Sequence, residues 1–83
     1  MSKLFQPPVS IKVKISPEGS PAAFVYQKKP VVIRAISNRW RVREGWWREE
    51  VSREYFQVDT SRFNCLIYRD LLKDDWRLQR VYD

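Results

Sequence analysis

Apolar and polar residues alternate along most of this chain with a period of two, and no stretch of roughly ten residues carries a helical stripe. The clearest run is Val9, Ile11, Val13 and Ile15, separated by Ser10, Lys12 and Lys14. Successive side chains of an extended backbone point to opposite faces, so this run predicts a strand over 9–15. Pro17-Glu18-Gly19-Ser20-Pro21 ends it with turn-forming residues. Residues 22–27 predict a second strand and Lys28-Lys29-Pro30 a turn. A third strand spans 31–43 in two halves: VVIRAI is almost continuously apolar, whereas RWRVR alternates. The change near Ser37-Asn38 predicts a bulge.

Glu44-Gly45 reads as the next turn, since glycine accepts φ > 0. A fourth strand follows within 46–60, most securely over 53–58, and residues 59–62 turn again. Phe63, Cys65 and Ile67 fall on one face of a fifth strand with Leu66 and Tyr68 on the other, the pattern of a strand covered on both sides. Residues 70–75 form a polar link with room for one helical turn at Leu71-Leu72-Lys73. In the last strand, 76–82, Trp76, Leu78 and Tyr82 alternate with Arg77 and Gln79. Six short antiparallel strands in chain order predict an all-β meander, curled into a small barrel or a strongly bent sheet. Residues 1–8, containing Pro7-Pro8, read as a flexible N-terminal tail, and 9–83 as a single β domain, because 83 residues leave no room for a second core.

Composition narrows the chemistry. With no His and one Cys, the chain cannot form an internal disulfide or a Ser-His or Cys-His nucleophile pair. A zinc site would need carboxylates alone, so neither a metal nor a cofactor is expected. A single thiol fits a reducing compartment. The opening residues carry no long apolar run, and no stretch approaches about eighteen apolar residues. A cytoplasmic protein without membrane contact is therefore expected. Cys65, in an apolar strand, reads as a buried and inert thiol.

Charge is more informative. The chain carries a formal net charge of +6, and the six bases Lys28, Lys29, Arg34, Arg39, Arg41 and Arg43 fall between residues 28 and 43 with no acid among them. The remainder is balanced. In a strand, Arg39, Arg41 and Arg43 would line one face and large apolar side chains the other. Trp40, Trp46 and Trp47 lie in or beside this run. Arg and Lys for phosphate, with aromatic rings for base stacking, are what a nucleic-acid surface needs. The candidate nucleic-acid-binding set is Lys28, Lys29, Arg39, Arg41 and Arg43 for phosphate, with Trp46 or Trp47 as the stacking ring. The competing reading is structural: in a hairpin, Glu49, Glu50 and Glu54 would face the arginines and pair with them across the strands. Adjacent residues of a strand point apart, so one of Trp46 and Trp47 would face outward, while Trp40 and Trp76 follow the core alternation. Asp70, Asp74 and Asp75 lack calcium-loop spacing and read as turn and capping residues. Glu49-Glu50 beside arginines would stay ionised, which suits neither a general acid nor a tuned base.

Several of these segments together form a pattern: Pro21-x-x-Phe24-x-Tyr26, Val32-Ile33-x-x-Ile36-x-x-Arg39-Trp40-x-Val42, Trp46-Trp47-Arg48, Arg53-x-Tyr55-Phe56-x-Val58, Tyr68-Arg69-Asp70-Leu71 and Trp76-x-Leu78-x-x-Val81-Tyr82-Asp83. Over residues 21–83 the chain resembles a small bacterial domain family of unassigned function. Similar segments occur near the C-terminus of ImuB-type proteins, polymerase-like accessory subunits of a bacterial translesion-synthesis system. This sequence carries no polymerase-like region, and Lys28-Lys29-Pro30 stands where relatives would have a glycine-bearing hairpin. The resemblance implies an accessory role in DNA repair or translesion synthesis, through single-stranded or duplex nucleic acid or a polymerase or repair subunit. The leading expectation is a non-enzymatic macromolecule-binding module with no small-molecule substrate. The alternative is a protein-interaction adaptor using an aromatic groove or an edge strand.

Overall fold

The computed structural model describes residues 3–45 and 50–82. They form six strands: β1 (Lys3–Ile15), β2 (Pro21–Tyr26), β3 (Lys29–Gly45), β4 (Glu50–Thr60), β5 (Asn64–Asp70) and β6 (Asp75–Tyr82). Each pairs antiparallel with its neighbour in the chain, and β1 pairs with β6 to close the ring. The expected all-β meander is what forms, and of the two shapes it is the closed one, irregular because the register slips at several joints. No helix forms among the described residues, so none is long and apolar enough to cross a membrane. The 71–74 link is a turn, in which Asp70 Oδ1 accepts from the Leu72 and Lys73 amides at 3.0 and 3.2 Å. Turn duty is thus what Asp70 performs.

One buried cluster fills the ring. Alternation sends Ile11, Phe24, Val31, Phe56, Val58, Cys65, Ile67, Trp76 and Leu78 inward, and Phe5, Val13, Ile33, Ile36 and Val81 pack around them. Burying each large apolar side chain contributes about 1.5–3 kcal/mol, which a domain this small needs from nearly every strand.

Three local expectations are corrected. The tail read over 1–8 is instead strand from Lys3 onward. Lys3 and Leu4 pair with Val81 and Arg80, and Phe5 meets Tyr26 edge to face at 6.2 Å. The register breaks between Leu4 and Val9, where Pro7 and Pro8 have no amide to donate. Glu44 and Gly45, read as a turn, both belong to β3 instead, and Gly45 pairs with Glu50. Gly45 does not use a positive φ; Gly19 does, at 89°, in the β1–β2 turn. The third concerns the β2–β3 turn, whose centre is Gln27-Lys28, both left-handed at φ 52° and 64°, as a two-residue hairpin requires. Lys29 and Pro30 already belong to β3.

Candidate macromolecule-binding arm

β3 is almost three times as long as β2, 17 residues against 6, and this mismatch builds the candidate site. β2 accompanies β3 only as far as Val32, which pairs with Ala23. From Ile33 to Gly45 β3 pairs with β4 on one edge and, among the described residues, with no strand on the other. Two register shifts, between Ile33 and Ala35 and between Ile36 and Asn38, interrupt its pairing with β4, as bulges do. The second is the bulge expected at Ser37-Asn38. From Asn38↔Gln57 to Gly45↔Glu50 the pairing then runs without a break. β5 accompanies β4 no further than Arg53, opposite Asp70, so the tip of the arm is two strands wide.

The two faces of the arm differ as the alternation predicts. On the face continuous with the core stand Arg39, Arg41 and Arg43, opposite Phe56, Glu54 and Ser52. Glu54 Oε2 lies 3.1 Å from both Nε and Nη2 of Arg39 and 3.6 Å from Nη2 of Arg41. Arg43 reaches Glu50 at 3.8 Å. The Arg39 guanidinium also rests over the Phe56 ring, whose far neighbour is Trp76. The cross-strand pairing weighed from the sequence is therefore present for Glu54 and Glu50, while Glu49 lies outside the described residues. The arginine side chains are 51–78% accessible, although Glu54 is only 12% accessible, so solvent screening holds each pair to about 1 kcal/mol.

The opposite face carries a row of aromatic rings set by register: Trp40 opposite Tyr55, Tyr55 opposite Tyr68, then Arg77. Trp40 lies nearly parallel to Tyr55, 5.4 Å between centroids and 7° between planes. Tyr55 is 5.2 Å from Tyr68, and the Arg53 guanidinium covers Tyr68 at 4.7 Å. Arg53 Nη1 donates to the Tyr55 hydroxyl at 3.3 Å, and this bond, outweighing burial, holds the guanidinium pKa above its ordinary value. Tyr68 is buried on the outer surface by its neighbours' side chains, whereas Leu66 on the same face is half-buried and Asn64 exposed, so β5 is covered on both faces only around Tyr68. Burial raises its phenol pKa.

Trp40 corrects the core assignment: it is 38% exposed, because it stands on the face turned away from the ring interior. Trp76 is buried as expected. Trp46 and Trp47, the proposed stacking rings, lie outside the described residues. Lys28 and Lys29 are exposed but are not brought to the arginines; Arg39 lies ten positions along β3 from Lys29, about 33 Å along a strand. Arg39, Arg41 and Arg43 are thus the members of the set that the fold gathers.

No family model, curated protein or solved structure matches the chain. The resemblance to ImuB-type segments rests on the quoted motifs alone.

Elsewhere the chemistry is quiet. Asp74 pairs with Arg69 at 2.6 Å and Asp75 with Arg77 at 3.3 Å. No group of three or more His, Cys, Asp or Glu among the described residues is placed to hold a metal ion. An edge strand or an aromatic groove was named from the sequence without residues; that the edge belongs to β3 and that Trp40, Tyr55 and Tyr68 form a row were missed. The signal for the edge was available, since a strand of thirteen expected residues beside one of six must outrun it.

Proposed function

We propose that the chain is a non-enzymatic binding module whose β3–β4 arm pairs strand to strand with an extended segment of another macromolecule. The observation that carries this reading is the open edge of β3 from Ile33 to Gly45. Unpaired backbone donors and acceptors along an edge are a template for a further strand, and main-chain hydrogen bonds supply the affinity. The arginines already meet carboxylates, which favours a partner that completes the sheet over one that only neutralises charge. The test is amide-resolved NMR of the chain mixed with pools of short extended peptides. Shifts and slowed exchange confined to residues 33–45 are expected; perturbation only at other strands would sink the reading.

A second reading, nucleic-acid binding in DNA repair or translesion synthesis, is favoured by a different observation. Among the described residues Arg39 and Arg41 share one carboxylate, two positive charges against one negative, and the Trp40 ring is accessible for stacking. Fluorescence anisotropy with a short single-stranded oligonucleotide at two salt concentrations tests it. Phosphate contacts require affinity to fall with log salt, and no binding at low salt discards it.

A further inference from the structure

Resting on the strand-pairing reading, we infer that the guest at the β3 edge is an acidic extended segment, with carboxylates at every second position and apolar or aromatic residues between them. A strand added to this edge lies about 4.8 Å from β3 and shares its pleat. Its alternate side chains then fall beside Arg39, Arg41 and Arg43 on one face and beside Trp40 and Val42 on the other. β4 is a template for such a strand from the opposite side: it sets Glu54 beside the arginines and lays Tyr55 against Trp40.

The arginines have capacity for more. Each guanidinium carries five N–H donors, and among the described residues Arg39 and Arg41 together meet a single carboxylate oxygen, Glu54 Oε2. Between Asn38 and Gly45 the edge has no Pro, no Lys and no register shift. Its protection is the charge of Arg39, Arg41 and Arg43, which repels a like-charged neighbour and attracts an acidic one. A second copy of this chain is a poor guest, because antiparallel pairing of two β3 edges places arginines beside arginines, and like charges across strands repel.

The probe is a fluorescein-labelled peptide of about nine residues alternating Glu with Val and Tyr, long enough to span the unbroken stretch. A Lys-for-Glu counterpart and two N-methylated isomers of the acidic peptide complete the set. One isomer is methylated on the odd amides and the other on the even amides, which face opposite edges of the guest. The acidic peptide is expected to bind, more weakly as salt rises, and to protect amides within 38–45 from exchange. The lysine peptide is expected to bind about tenfold less or worse. One N-methylated isomer should lose binding and the other keep it. Glu54→Gln, which releases two guanidinium groups, should tighten the acidic peptide, and Arg41→Gln with Arg43→Gln should weaken it.

Preference for the lysine peptide at the same amides overturns the acidic assignment while leaving strand pairing intact. Protection of 38–45 by no peptide of either charge overturns both. Equal affinity of the two N-methylated isomers overturns pairing through the ladder. A peptide-free dimer with 38–45 already protected assigns the edge to a second copy, and an oligonucleotide bound where the acidic peptide is refused assigns the arm to nucleic acid.

Discussion

The Cys65 thiol has no exposed surface, and burial pushes its pKa from 9.0 up to about 12. A buried thiolate has lost its hydration with nothing in return, so the neutral form is held. Between those values the folded chain keeps a proton that the unfolded chain has released. The contribution is therefore fully present below about pH 9 and is lost as pH rises towards 12. The buried phenol of Tyr68 shifts in the same direction. The urea midpoint is expected to fall across this alkaline window, and more shallowly in Cys65→Ala; identical slopes would refute the assignment. The inert thiol was legible in the sequence because it sits within FNCLIYR. The orientation of Trp40 was not, because either face of an alternating strand can be the inner one until the strand is joined to its neighbours.

Thr60 shows how an element boundary is held. At the end of β4 its amide and hydroxyl both donate to the Phe63 carbonyl, and Oγ1 accepts from the amides of Arg62 and Phe63 at 3.1 and 2.9 Å. It is a buried polar residue satisfied entirely within its own turn. Thr60→Val keeps the shape and removes the oxygen, stranding two amides, and is expected to cost about 2 kcal/mol of stability by urea denaturation. A change below about 0.5 kcal/mol would show that water replaces the hydroxyl. The position of this turn was readable from Asp59-Thr60-Ser61-Arg62. The β3–β4 connection was misplaced, because Glu44-Gly45 has turn chemistry yet the pairing of Arg41 with Glu54 and of Gly45 with Glu50 draws both residues into the strand.

At the scale of the molecule, closure depends on β1 meeting β6. The first residues of β1 take part: Lys3 and Leu4 pair with β6, and Phe5, Tyr26 and Phe63 form a chain of edge-to-face contacts at 6.2 and 5.8 Å. Each aromatic pair contributes about 0.5–1.5 kcal/mol beyond burial. Removing residues 1–8 is therefore expected to lower stability by about 1–3 kcal/mol, measured by urea unfolding. A flexible tail would leave it unchanged. The same closure explains the arm. A ring of strands of unequal length meets only where all its members are present, so the excess length of β3 and β4 runs on beyond it as a hairpin with an open edge.

What the sequence determined by itself was local: period-two alternation, turn chemistry and β-branched runs made six strands, and the RWRVR pattern put guanidinium groups and an indole on opposite faces. These are properties of a few neighbouring residues, and pleat geometry alone decides them. Tertiary structure decided which face became the interior, that Trp40 looks outward, that Glu54 serves two arginines, that Lys28 and Lys29 stand far from them, and that one edge of β3 beyond Val32 has no strand partner among the described residues. Each of these depends on register between strands distant in sequence. Register comes from the sum of cross-strand contacts and bulges around the whole ring, which no short window of the chain contains.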